Sequence, residues 1–147
     1  MALTRCEDVM TRHPRTCEPG ESLLDCIRTM KELNVGLVPI CETTEGRLVG
    51  VVTDRDVAMA LSHDESPSQV RIADVMARDP VVCRPDEDVF ACARAMEDHQ
   101  LRRIPVVDPD HHLLGIVALA DLARAATRHK DLELELGTLL EQVSLPT

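Results

Sequence analysis

Between Gly50 and Asp56 the sequence reads GVVTDRD, an apolar stretch that turns at a threonine into three charged residues. Two chemistries fit that junction. Thr53 followed three residues later by Asp56 has the spacing of a capping box, in which a hydroxyl and a carboxylate satisfy the free N–H groups of a helix start, although Asp is a less usual partner there than Glu or Gln. The alternative is a ligand site. A strand that ends at a helix N-terminus gathers unpaired backbone N–H groups and the positive end of the helix dipole. Gly50 has no side chain to obstruct a ligand, Thr53 can donate to a phosphate or sugar oxygen, Arg55 can neutralise phosphate, and Asp56 can accept paired bonds from vicinal ribose hydroxyls. On the residues alone both readings stand.

Bulk properties exclude several other classes. With 147 residues, 44% of them hydrophobic and 29% charged, the chain can bury a core and is too apolar for a disordered protein. A formal charge of −10 repels a phosphate backbone, and one Phe with no Trp or Tyr leaves almost nothing for bases to stack on, so no nucleic-acid partner is expected. No apolar run approaches the roughly 18 residues of a membrane span, and MALTRCEDVM lacks the regions of a secretory signal, so the expected compartment is the cytoplasm without membrane association. The six cysteines (Cys6, Cys17, Cys26, Cys41, Cys83, Cys92) form no CxxC pair and sit among apolar neighbours, as reduced, buried, non-catalytic residues do. No metal site is expected, since adjacent residues of a turn such as DPDHH usually diverge. No Ser/His/Asp or Cys/His arrangement at informative spacing points to catalysis.

The elements that must position the junction occur twice. Cys17 and Cys83 stand 66 apart, as do Cys26 and Cys92, and DVMTRHPRTCEPGE from Asp8 aligns with DVMARDPVVCRPDE from Asp74. After a one-residue deletion the register continues, pairing Gly50 with Gly115 and Asp56 with Asp121. Each copy has an extended piece (15–17; 81–83), then a helix capped by Ser22 or Asp88 with apolar residues at helical spacing. Two strands follow (37–41 and 48–53; 103–107 and 113–118), and a helix from Asp54 or Leu119 closes the unit. The fold class is therefore α+β: two strand–helix–strand–strand–helix repeats packed about a pseudo-twofold axis, with boundaries at 1–62 and 71–128, a polar linker at 63–70, and a helical tail at 129–147.

With VPI and IPV preceding VGVVTDRD and LLGIVALADL at equivalent places, the chain resembles a tandem pair of CBS domains (the cystathionine β-synthase domain), and is most similar to small stand-alone bacterial CBS proteins. The resemblance runs from about Asp8 to Arg128. It implies a non-catalytic regulatory module that binds an adenosyl ligand (AMP, ADP, ATP, NAD or S-adenosylmethionine) in the cleft between repeats and signals to an effector protein, here unknown. It also implies a homodimer formed through the last helices. No cofactor is required; an adenine nucleotide is the regulatory ligand.

Carried over by position, the resemblance assigns the ribose to Asp56 and places Thr53 and Arg55 at phosphate or ribose. Backbone groups of Val38 would meet the adenine edge, Leu37 and Pro39 would pack on its face, and Thr16 would complete the pocket. The second copy departs from this pattern, with Ala118 for Thr53, Ala120 for Arg55 and Val82 for Thr16, leaving Asp121 with Arg103, Ile104 and Pro105 as a weaker site. By the same resemblance, Arg102 and Arg103 can reach a phosphate held by the other repeat. Two other classes stay open: an interaction protein of the same fold that has lost its ligand, and, least favoured, a nucleotide-processing enzyme.

Overall fold

Helices in this protein start where a side chain replaces a missing backbone partner. Ser22 accepts from the Asp25 amide at 3.2 Å while Asp25 accepts from the Ser22 amide, and α2 runs Leu23–Leu33 from that box. Asp88 caps α4 (Val89–His99) by accepting from the Phe90 amide at 3.0 Å. Both helices end on a left-handed residue, Asn34 and Gln100, at the same place in each copy.

The computed structural model describes residues 4–42 and 46–128. Element order is α1 (Cys6–Val9), β1 (Thr11–Arg12), α2, β2 (Leu37–Cys41), β3 (Leu48–Thr53), α3 (Asp54–Ala60), a 3-10 turn at Ile72–Asp74, α4, β4 (Arg103–Val107), β5 (Leu113–Ala118) and α5 (Leu119–Arg128). The mixed α+β composition and the four strands match expectation. The tail at 129–147, read as helical, lies outside the described residues.

The chain forms two compact units, and each borrows its opening segment from the other repeat. One unit is Pro14–Pro80 with Asp110–Leu113, here the first-repeat unit; among the described residues the second-repeat unit combines the segment ending at His13 with Val81–Pro109 and residues 114–128. The hydrogen bonds that hold the borrowed pieces repeat almost bond for bond. Ile72 N–H donates to Glu21 C=O (2.9 Å) and Ala73 N–H to Pro19 C=O (3.0 Å), as Cys6 N–H donates to Glu87 C=O (2.8 Å) and Glu7 N–H to Pro85 C=O (3.0 Å).

In the first-repeat unit β2 and β3 pair antiparallel, Leu37 opposite Thr53 and Ile40 opposite Gly50. Its core gathers Leu23, Cys26, Val38, Ile40, Val52 and Ile72. The second-repeat unit holds a three-stranded sheet in the order β1–β5–β4 over Val89, Met96, Ile104, Val106 and Val117. All six cysteines are buried free thiols. Burial pushes the Cys41 thiol up to about 11, so it stays protonated at neutral pH.

The register corrects one expectation. Gly50 does not clear space for a ligand: a Cβ there would lie 2.8 Å from the Ala77 carbonyl oxygen and 2.9 Å from Met76 Sδ, within its own unit. Gly115 makes the same close approach, 2.7 Å from the Thr11 carbonyl oxygen and 2.8 Å from Met10 Sδ. Both glycines let the borrowed segment lie flat on the hairpin. Gly50→Ala is therefore expected to lower unfolding stability by about 1–3 kcal/mol, the usual cost of overpacking, in a denaturant titration; Gly20→Ala, where no atom lies within 4 Å, serves as the control.

Candidate ligand site

At the end of β3 the backbone needs partners for the first turn of α3, and Thr53 and Asp56 supply them. Asp56 Oδ2 accepts from the Thr53 amide and from Thr53 Oγ1, both at 2.9 Å, and Thr53 Oγ1 accepts from the Asp56 amide at 3.2 Å. The capping reading is thus realised, and it changes what the junction can offer. A hydroxyl has one proton and two lone pairs. The Thr53 proton is committed to Asp56, so the expectation that Thr53 donates to a phosphate gives way: its remaining capacity is one acceptor lone pair. Asp56 Oδ1 takes no hydrogen bond among the described residues, and Asp56 is half-buried. Two acceptors therefore remain side by side, a fit for a group with two O–H donors.

The hairpin register brings the other candidates to this end of the unit. Leu37 stands opposite Thr53, and Asp54 N–H donates to Gly36 C=O at 2.9 Å, tying the helix start to the start of β2. Thr16 is exposed beside β2, because Cys17 N–H donates to Pro39 C=O (3.1 Å) and Cys17 C=O accepts from Cys41 N–H (2.9 Å). Those two bonds also show which way the backbone faces. Residues 39 and 41 point to the Cys17 edge, so by alternation Val38 turns its N–H and C=O into the ladder with Val52, while its side chain is 1% exposed in the core. Val38 therefore has no backbone group free at the edge, as the adenine-edge expectation required, and it is the Leu37 backbone that faces the open edge next to Thr16. Pro39 is buried, and Arg55 is exposed on the first turn of α3.

A cavity of about 570 Å³ opens against Asp56. Its walls are one face of α3 (Asp56, Met59, Ala60) and the segment after it (His63, Glu65, Val70, Asp74, Val75). Leu37 and Thr16 are not among its lining residues. Sequence reasoning missed this wall because residues 63–70 read as linker and Asp74–Val75 as the start of the second repeat. The signal was the DVM motif itself, whose recurrence at Asp8 and Asp74 marks a structural position in both units.

The second-repeat unit differs at the corresponding place. Asp121, 8% exposed, accepts at Oδ2 from the Ala118 amide (2.7 Å), and its Oδ1 pairs with the Arg124 guanidinium. Both oxygens are used, and Ala118 brings no hydroxyl. The corresponding cavity, lined by Asp8, Val9, Asp121, Arg124 and Ala125, is only about 110 Å³. Arg124 occupies the place of Met59, and its i, i+3 spacing from Asp121 was the legible sign of the pair. Ile104 and Pro105 are buried at the start of β4, with Arg103 and Val82 half-buried.

The comparisons agree with this architecture. The CBS domain family matches over residues 6–63 and 72–128. The CBS domain-containing protein YhcV of Bacillus subtilis is 35% identical over 121 residues, covering 82% of this chain and 84% of its own. Among the similar solved structures are complexes with adenosyl compounds. The CBS domain pair of protein MJ0100, in complex with 5′-methylthioadenosine and S-adenosyl-L-methionine, matches with a TM-score of 0.75 at 27% identity, over 86% of this chain and 98% of its own. CBSX2 in complex with AMP matches at 0.73 and 28%, with the same coverage. The fold of two repeats, each ending a hairpin on a capped helix, is that of a CBS-domain pair. The chain belongs to the CBS-domain family.

The cap itself is testable. Thr53→Ala removes the hydroxyl that accepts from the Asp56 amide, and thermal or urea unfolding is expected to register a loss of about 1 kcal/mol, within the range for N-cap removal.

Proposed function

We propose that the chain is a sensor of an adenosyl ligand, bound at the Thr53–Asp56 end of the first-repeat unit and read by a partner protein. The observation that carries this reading is the acceptor pair left over by the cap, Asp56 Oδ1 and one lone pair of Thr53 Oγ1, which suits the two donors of a ribose 2′,3′-diol. An adenine base then packs on Leu37 and Pro39, with the Leu37 backbone and Thr16 at its edge. The neighbouring cavity falls in the size range of small-molecule sites. Asp56, Glu65 and Asp74 line it, so ligand groups entering it are neutral or cationic, and any phosphate belongs on the side of Arg55. Support from outside the chain comes from the AMP, methylthioadenosine and S-adenosylmethionine complexes of the structural relatives.

The second repeat, with its carboxylate paired to Arg124 and a cavity of about 110 Å³, is the weaker or empty site. A regulatory role without catalysis follows the family, and the expected homodimer is supported by apolar exposure on α3, where Met59 is 63% exposed and Leu61, its C-cap, 48%. No helix among the described residues is long and apolar enough to cross a membrane.

The test is a thermal-shift panel of AMP, ADP, ATP, NAD and S-adenosylmethionine. A true ligand at 100 times its dissociation constant adds about 2.7 kcal/mol of stability. Asp56→Asn keeps an oxygen for the cap but puts a donor where the ribose needs an acceptor. It should stay within about 1 kcal/mol of the parent in basal stability and weaken binding about tenfold or more, as expected for a lost charged acceptor. A panel with no shift supports the ligand-free interaction protein; release of product from ATP supports the enzyme.

A further inference from the structure

Three sulfur atoms converge in the core of the second-repeat unit. The Sγ atoms of Cys6, Cys83 and Cys92 lie within 4.8 Å of one another. They come from three separate segments: the first residue of α1, the extended piece before α4, and the first turns of α4. Each segment is held by backbone bonds, Cys6 N–H to Glu87 C=O (2.8 Å), Cys83 N–H to Pro105 C=O (3.0 Å), and Val89 N–H at the α4 start to Thr4 C=O (3.1 Å). All three side chains are at most 2% exposed.

The first-repeat unit is an internal comparison. At the corresponding positions it has Ile72, Cys17 and Cys26, two sulfurs and a branched aliphatic residue, with Cys17 Sγ 3.8 Å from the Thr29 hydroxyl. Filling a core at this position therefore does not call for a thiol, and the third sulfur, Cys6, belongs to the second-repeat unit alone.

We propose that Cys6, Cys83 and Cys92 form a binding site for a soft, thiophilic metal ion of the Cu(I) class. The donor set decides the class. Thiolates select soft ions such as Cu(I) over hard ones, and the core around the sulfurs is apolar (Val89, Ala93, Met96, Ile104, Val106); the Glu87 carboxylate, which reaches the Cys83 thiol, accepts from the Arg84 amide and stands outside the three-sulfur group. Zn(II) in closed sites takes four ligands in a tetrahedron, and this cluster supplies three. With metal–sulfur bonds of about 2.3 Å, three sulfurs around one ion stand about 4 Å apart, so the cluster needs a contraction of less than about 1 Å. Each sulfur that ligates releases its proton to solvent, and no electron is transferred. Because the site is closed, the ion enters while the short α1 is open or during folding, and its binding energy adds to folding energy.

The experiment is anaerobic refolding of the reduced full-length chain with Cu(I), followed by desalting against a Cu(I) chelator and by copper X-ray absorption. The proposal expects one tightly held Cu(I) per chain, a first shell of three sulfurs, and loss of that equivalent in Cys6→Val, a branched aliphatic residue like Ile72 of the first-repeat unit. The absorption measurement on the unaltered chain stands even where the variant does not fold. No retained copper, a two-sulfur shell (which points to Cys17 and Cys26), or preferential retention of Zn(II) with nitrogen or oxygen in its shell overturns it.

Discussion

The reciprocal bond between Thr53 and Asp56 is the constraint around which the first-repeat unit is organised. It ends β3 and starts α3 within a single residue. The helix start is pinned a second time, by Asp54 N–H on Gly36 C=O, so the end of β3, the start of β2 and the first turn of α3 cannot move separately. One carboxylate oxygen is spent on this architecture and the other is held, by the same bond, in a fixed direction. On the proposed function, structure and recognition are in this way not alternatives at Asp56. The cap is what pre-orients the remaining acceptor, and a pre-oriented acceptor loses less entropy on binding than a free side chain does.

The two repeats then show how a small change at one position redirects a shared scaffold. Asp121 sits on α5 as Asp56 sits on α3, and each accepts from a backbone amide three residues back. Where the first repeat has Met59, the second has Arg124, which reaches back to the carboxylate and takes up its second oxygen. The chemistry of an open acceptor becomes that of a closed ion pair, and the cavity beside it shrinks from about 570 to about 110 Å³. In the core the asymmetry runs the other way, with three thiols in the second unit where the first has two and an isoleucine.

Much of this was legible in the sequence, for local reasons. Period-two and period-3.6 patterns, Ser22 and Asp88 at cap positions, and the strand bounds at Leu37–Cys41, Leu48–Thr53, Arg103–Val107 and Leu113–Ala118 depend on near neighbours, and the repeat reads each of them twice. What was not legible is non-local. The purpose of Gly50 lies in Met76 and Ala77, 26 and 27 residues away, and nothing around GVV announces them. The exchange of opening segments between repeats, and with it the cavity wall at Val70 to Val75, is a property of packing rather than of periodicity. The facing of the Val38 backbone required the strand register, which the sequence pattern leaves free by one residue, and one residue is enough to turn a hydrogen-bonding group from a ligand into a ladder.

The central claim is that the two acceptors left by the cap hold a sugar diol. Its most direct measurement is calorimetric titration with a pair of compounds, adenosine 5′-monophosphate and the same nucleotide with its 2′ and 3′ hydroxyls tied together as an isopropylidene acetal. The account predicts saturable binding of the free diol with one site per chain and no measurable binding of the acetal. Equal binding of the two would show that the nucleotide is held by its base or phosphate, with Asp56 serving only its helix.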